Sequence, residues 1–219
     1  TKVTPAVFEA GKKLKAVGRA GVGVDNIDLA AAKAHGVTVV NSPLATTVAV
    51  AELTLALMLS AVREIARADA SMKAGKWLKK EFEGTELNGK TLGVIGFGRI
   101  GCAVAARAKA FDMQVLAYDP LVSADEIKAR GGLPVSLDSL LASADIITMH
   151  MPLTPDSRGM LSTEAFGKMK KGAYVICAAR GGVIDEAALL EALNSGKIAG
   201  AAMDVFSAEP PGLTDLVAH

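Results

Sequence analysis

From residue 90 onward, short apolar runs alternate with stretches whose apolar residues recur at three- and four-residue spacing. Lys90–Ile95, Gln114–Tyr118, Asp145–His150, Ala173–Ala178 and Ile198–Asp204 read as buried strands. Between them, Arg99–Phe111, Asp125–Arg130, Leu137–Ala142, Thr163–Met169 and Glu186–Asn194 read as helices. Strands that alternate in this way with helices predict an α/β protein with a parallel, doubly wound sheet. The first 45 residues carry the same rhythm more faintly. Residues 3–13 read as a helix, Lys15–Arg19 as a strand, Ile27–His35 as a helix closed by Gly36, and Val37–Asn41 as a strand. Ser42-Pro43 breaks the pattern. One long helix is predicted from about Thr46 to Lys73, followed by a polar loop with Trp77 and Phe82 and by the turn dipeptide Asn88-Gly89.

The first predicted strand of the regular region runs directly into Gly96-Phe97-Gly98-Arg99-Ile100-Gly101. A G-x-G-x-x-G string alone is a weak signal, but here a strand precedes it and a helix follows. Gly96 permits the tight turn, Gly98 lets the backbone approach a pyrophosphate, and Gly101 lets helix and strand pack closely. The helix N-terminus then offers unpaired N–H groups to the phosphates. Asp119 ends the next strand at the roughly 20-residue spacing where a carboxylate meets the adenosine ribose hydroxyls. Such a carboxylate repels a 2′-phosphate, and Pro120-Leu121-Val122 supplies no cation to replace it. The expectation is a Rossmann domain that binds NAD rather than NADP.

Further candidates sit where the later strands end, because ligands of open α/β sheets lie at the carboxyl ends of strands. His150, Met151 and Pro152 close one strand; His150 either touches the cofactor or hydrogen-bonds within its loop. Ala178, Ala179 and Arg180 close the next. Arg180, presented on Gly181 and Gly182, suits a carboxylate clamp, with a surface salt bridge as the alternative. Asp204 and Glu209 follow the last strand, and an acidic residue before Pro-Pro is otherwise a solvated loop residue.

These segments, with Gly18-Arg19-Ala20-Gly21-Val22-Gly23-Val24-Asp25-Asn26-Ile27-Asp28, together resemble the D-isomer-specific 2-hydroxyacid dehydrogenases along essentially the whole chain. The resemblance implies hydride transfer at C2 of a D-2-hydroxy acid. Arg180 would orient the substrate carboxylate and polarise the C2 oxygen, and Glu209 would pair with a catalytic His. Asp204 would lie near the nicotinamide amide, Arg99 and Ile100 at the pyrophosphate, and Asp119 at the ribose. Val22, Met151 and Ala178 would line the cofactor cleft, and Arg19 could reach the substrate. The family carries its catalytic His in a Pro-His-x-Gly segment, which this sequence does not contain; neither His219 nor His35 is a substitute. Residues 1–40 are therefore expected to be the C-terminal part of a substrate domain. Residues 41–219 would be the NAD-binding domain, cut before the catalytic-His segment and retaining cofactor binding with little activity.

Charge and composition narrow the partners. Lys and Arg number 24 against 23 Asp and Glu, so no global field attracts nucleic acid or an anionic membrane. Leu44–Val62 holds one charge, Glu52, but its Thr and Ser residues and the charges that continue its pattern favour a core or subunit-interface helix over a membrane span. The expected partners are a small-molecule substrate and a second copy of the chain, docked through helix 46–73 and the loop after it. Cys102 and Cys177 make no metal or disulfide pattern, which suits a reducing, cytoplasmic setting. A non-enzymatic NAD-sensing protein of the corepressor kind would need a nuclear-localisation run or partner-binding tails, and neither is visible.

Overall fold

The computed structural model describes residues 2–219, which form two compact units that divide between Ala49 and Val50. In the first, helix α1 (Pro5–Ala10), strand β1 (Ala16–Arg19), helix α2 (Leu29–Ala34) and strand β2 (Thr38–Asn41) follow in order. β1 and β2 pair in parallel. Phe8, Ile27, Ala32 and Val37 form a small core. Asp28 caps α2 by accepting the Ala31 amide at 2.8 Å, satisfying one of the orphan donors of a helix start.

The second unit holds a six-stranded, wholly parallel sheet. Its strands are β3 (Thr91–Ile95), β4 (Gln114–Tyr118), β5 (Leu133–Pro134), β6 (Ile146–Met149), β7 (Ala173–Cys177) and β8 (Ile198–Met203), in the spatial order β5-β4-β3-β6-β7-β8. The order reverses between β3 and β6, the doubly wound arrangement with its ligand crevice at that switch point. The expected α/β Rossmann class is what the structure shows.

Alternate residues of each strand face opposite layers. Leu92, Val94, Val115, Ala117, Ile146 and Ile176 pack with helices α3 (Thr47–Val62), α5 (Arg99–Lys109) and α6 (Ala124–Ala129). Ile95, Leu116, Ile147, Met149, Val175 and Cys177 pack on the other face with α7 (Leu137–Ser143), α8 (Thr163–Lys168) and α9 (Glu186–Asn194). Small aliphatic side chains fill both layers, in keeping with an aromatic content of only 4%.

The single helix expected over 46–73 is two: α3 stops at Val62, and α4 runs Ile65–Lys73. Glu64 between them adopts left-handed backbone, φ 52°. The cause lies in the loop beyond. The Val62 carbonyl, which a continuous helix would bond to residue 66, instead accepts the Thr85 amide at 2.7 Å. Arg67 pairs with Glu64 and lies 5.4 Å from the centre of the Phe82 ring, fastening that loop to α4. A short C-terminal helix, α10 (Asp215–Ala218), and the two-residue β5 also go beyond the sequence reading. Among the described residues, no helix is long and apolar enough to cross a membrane.

Candidate functional site

The glycine loop is built by close approach. Gly96 has φ 90°, and a Cβ on it would stand 2.6 Å from the His150 carbonyl oxygen. A Cβ on Gly101 would stand 2.2 Å from the Gly96 carbonyl oxygen. At Gly98 the same construction meets nothing within 4 Å. Gly98 is also the N-cap of α5 and supplies no side chain to its first amides. Two glycines thus close the turn, and the third leaves an open cradle at an uncapped helix start. That geometry fits a dinucleotide pyrophosphate, with Arg99 and Ile100 as the first residues of the helix beneath it.

Phe97 anchors the loop, its side chain fully buried. Both of its backbone polar groups are held from a distance in sequence. Its amide donates to Asp119 Oδ2 at 2.7 Å, and Asp119 Oδ1 accepts the Leu121 amide at 2.8 Å. Its carbonyl accepts from Arg130 Nη1 at 3.1 Å and lies 3.4 Å from Cys102 Sγ. Burial raises the Cys102 thiol pKa, with Arg130 partly opposing it. Sequence reasoning missed Arg130 because nothing local in the sequence ties it to a loop 33 residues earlier.

His150 stands across the switch point from the loop. Its amide donates to the Ile95 carbonyl at 2.7 Å, and its Nε2 is 3.0 Å from the buried Thr148 hydroxyl. Nδ1 is buried without a hydrogen-bond partner. Burial pushes the imidazole pKa down to about 4, so at neutral pH the ring is uncharged. The side chain bonds Thr148 on the strand that it follows, and the backbone shapes the crevice against Gly96. Met151 is half-buried against the β6–β7 core. Pro152 leads a loop whose buried Ser157 donates to the Pro152 carbonyl at 2.7 Å and accepts the Thr154 amide at 2.8 Å.

Ala178, Ala179 and Arg180 follow β7. The Arg180 guanidinium donates to the Ala179 carbonyl at 2.6 Å. Gly181 admits the loop that follows β8: a Cβ there would lie 1.8 Å from the Phe206 carbonyl oxygen. In that loop the Asp204 amide donates to the Cys177 carbonyl at 2.9 Å, and Glu209 Oε1 accepts the Phe206 amide at 3.1 Å. The Arg180 segment and the Asp204–Glu209 segment are therefore interlocked at the ends of adjacent strands. The first unit carries the remaining candidates. Arg19 ends β1, exposed, with its guanidinium folded near Gly21, and the Val22 carbonyl accepts from Asn41 Nδ2 at 2.7 Å.

A cleft of about 790 Å³ lies elsewhere, lined by Leu57, Ala61, Tyr174, Met203 and Val217 among others. None of the glycine-loop residues and neither Asp119 nor Arg180 reaches it, so the nucleotide reading rests on the loop and strand ends and not on that concavity. Among the described residues, no group of His, Cys, Asp and Glu is arranged to hold a metal ion.

Residues 55–219 match the family described as D-isomer specific 2-hydroxyacid dehydrogenase, NAD binding domain. The chain is 54% identical over 211 residues to a D-3-phosphoglycerate dehydrogenase of Archaeoglobus fulgidus, covering 96% of this chain and 40% of that protein. It is 50% identical over 219 residues to the enzyme of the same name from Bacillus subtilis, covering 42% of it. The chain thus spans about two fifths of these curated relatives. Among solved structures, a D-lactate dehydrogenase from Aquifex aeolicus complexed with NAD and lactic acid superposes with a TM-score of 0.86 at 37% identity, covering 98% of this chain and 67% of that one. A glyoxylate reductase from Paecilomyes thermophila gives 0.90 at 34%, covering 100% and 66%. The chain belongs to the D-isomer specific 2-hydroxyacid dehydrogenase family and carries its NAD-binding domain.

Proposed function

We propose that the protein containing this chain is an NAD-dependent dehydrogenase acting at C2 of a D-2-hydroxy acid. Its reaction is the oxidation of 3-phospho-D-glycerate to 3-phosphohydroxypyruvate, the entry step of serine biosynthesis. The observation that carries the reading is the interlock of the Arg180 and Asp204–Glu209 loops at the strand ends of a sheet whose first turn is the Gly96–Gly101 loop. The substrate follows the relatives named D-3-phosphoglycerate dehydrogenase, whose identities of 50–54% exceed the 34–37% of the glyoxylate reductase and D-lactate dehydrogenase.

When bound, the nicotinamide supplies the hydride acceptor. Gly98, Arg99 and Ile100 would receive the pyrophosphate, and Asp119 would accept from the ribose hydroxyls. Met151, Pro152, Ala178 and Ala179 would line the cofactor, with Asp204 at its amide. Arg180 binds the substrate carboxylate through its planar fork and polarises the C2 oxygen. Glu209 holds the imidazole of a Pro-His-x-Gly segment of the family's kind, raising its basicity so that it takes the C2 hydroxyl proton. Residues 1–219 contain no such segment and by themselves bind NADH with little turnover. The protein is cytoplasmic and acts as a homodimer through α3, α4 and the Trp77–Phe82 loop.

The test is Arg180→Ala in the full-length protein, assayed with 3-phosphoglycerate, D-lactate, glyoxylate and hydroxypyruvate. Turnover on 3-phosphoglycerate should fall about 10²- to 10³-fold, the usual cost of a missing charge-stabilising donor, while NADH affinity holds. Wild-type-like turnover would overturn the mechanism, and preference for an unphosphorylated acid would overturn the substrate.

A further inference from the structure

Glu186 stands outside every role assigned above. It is the first residue of α9, and its Oε1 accepts the Ser207 amide at 2.6 Å, reaching into the loop that follows β8. The neighbouring amide, that of Phe206, is held by Glu209 at 3.1 Å. Two consecutive amides of one loop are captured by two carboxylates, one carried by the loop itself and one by α9.

The support behind Glu186 is a capped and buried helix. Asp185 caps α9 by accepting the Ala187 and Ala188 amides at 3.0 and 3.1 Å. Ala188, Leu189 and Ala192 bury the helix in the core. A carboxylate at the first helical position is stabilised by the helix dipole. The same short segment carries Arg180 at one end and Glu186 at the other, so its ends meet the Glu209 loop twice: at Gly181 against the Phe206 carbonyl and at Glu186 against the Ser207 amide. Glu209 itself is exposed, and its hydrogen bond is the longer of the two. Short bonds to an ionised acceptor are the stronger ones.

We propose that Glu186 is a positioning residue that fixes Glu209 relative to Arg180 by holding the Ser207 amide. The proposal rests on the dehydrogenase reading of Glu209. A misplacement of about 1 Å in a reacting constellation costs on the order of 100-fold in rate. Loss of this tether should therefore cost turnover while the nucleotide loop, which follows β3 two strands away from β7, keeps its affinity.

The experiment uses the full-length protein with Glu186→Gln, Glu186→Asp and Glu186→Ala, each alone and combined with Glu209→Ala. Gln keeps the length and an acceptor oxygen, and should hold kcat within about threefold. Asp keeps the charge at the helix start but is one methylene too short to reach Ser207. Asp and Ala should both lower kcat by about 10- to 100-fold, leave NADH affinity within about twofold, and move the pH profile of kcat/KM toward that of Glu209→Ala. In the Glu209→Ala background neither should lower kcat further. Glu186→Asp, with a favourable first-turn residue, covers the case in which Ala fails to fold. Wild-type kcat and pH profile in Asp and Ala, with Glu209→Ala impaired, would overturn the proposal and leave the dehydrogenase reading standing. Additive losses in the double variants would also overturn it. Unimpaired Glu209→Ala would overturn both.

Discussion

The Asp119 carboxylate accepts the Phe97 amide at 2.7 Å, so the residue read as the ribose ligand is also a strut of the glycine loop. Its other oxygen takes the Leu121 amide at 2.8 Å. The two roles separate by mutation. Asp119→Asn keeps an acceptor for one amide but removes the charge that repels a 2′-phosphate. It should raise NADPH affinity relative to NADH at least tenfold with a small loss of stability. Asp119→Ala removes both, and a lost hydrogen bond to a charged acceptor costs about 1–3 kcal/mol. It should weaken both nucleotides and lower the melting temperature. Calorimetric titration with NADH and NADPH, paired with thermal denaturation, measures this; an unchanged NADH/NADPH ratio in the Asn variant would remove Asp119 as the discriminator.

The loop glycines predict opposite failures. A methyl on Gly101 meets the Gly96 carbonyl oxygen at 2.2 Å, which backbone cannot absorb without moving. Overpacking of this kind costs about 1–3 kcal/mol or more, so Gly101→Ala should be visibly destabilised and bind NADH poorly. At Gly98 a methyl meets nothing within 4 Å. Gly98→Ala should melt close to the wild type yet lose NADH affinity at least tenfold, because the methyl stands where the pyrophosphate approaches. If Gly98→Ala bound NADH normally, the cradle would be misassigned.

What the sequence could tell in advance follows a physical line. Leu92 and Val94 beside Gly96, and the helical run after Arg99, are local patterns, so the strand, turn and helix could be read directly. The Glu64 break could not, since its cause is the Thr85 amide taking the Val62 carbonyl from beyond the next loop. Strand ends placed Asp119, Arg180 and Asp204 correctly at the carboxyl edge of the sheet. The Arg130 and Glu186 supports escaped because each acts across a long sequence gap on a backbone group. Composition carries no trace of such contacts.

Helix α4 and the loop after it present Ile65, Met72 and Trp77 with 52, 54 and 75% of their surface exposed. Apolar side chains this open, gathered on one stretch, are what an intersubunit contact would cover. Trp77 is the sole tryptophan of the chain, so its emission reports the contact without labelling. We expect sedimentation to give a dimer at micromolar concentration. Dilution or Met72→Glu should shift the emission to the red. A monomer with concentration-independent emission would count against the interface.

His150 sets a pH limit on stability. Folded, its imidazole holds a pKa of about 4 because burial disfavours the charged ring; unfolded, it returns to about 6.5. Between those values the unfolded chain binds the extra proton, so stability is present in full above about pH 6.5 and falls as the pH drops toward 4. The loss approaches about 3 kcal/mol, from 1.36 kcal/mol per unit of pKa difference. Carboxylates contribute in a lower window that only begins near the bottom of this range. Burial opposes ionisation of Asp145, but the Thr91 amide and Lys170 outweigh it and hold its carboxyl below the ordinary 3.8, so its contribution is lost only at lower pH. Denaturant melts between pH 7 and 4 should therefore show the midpoint of the wild type declining across this range. His150→Asn should flatten that decline, whatever its stability at pH 7, and an equally steep decline in the variant would place the acid sensitivity elsewhere.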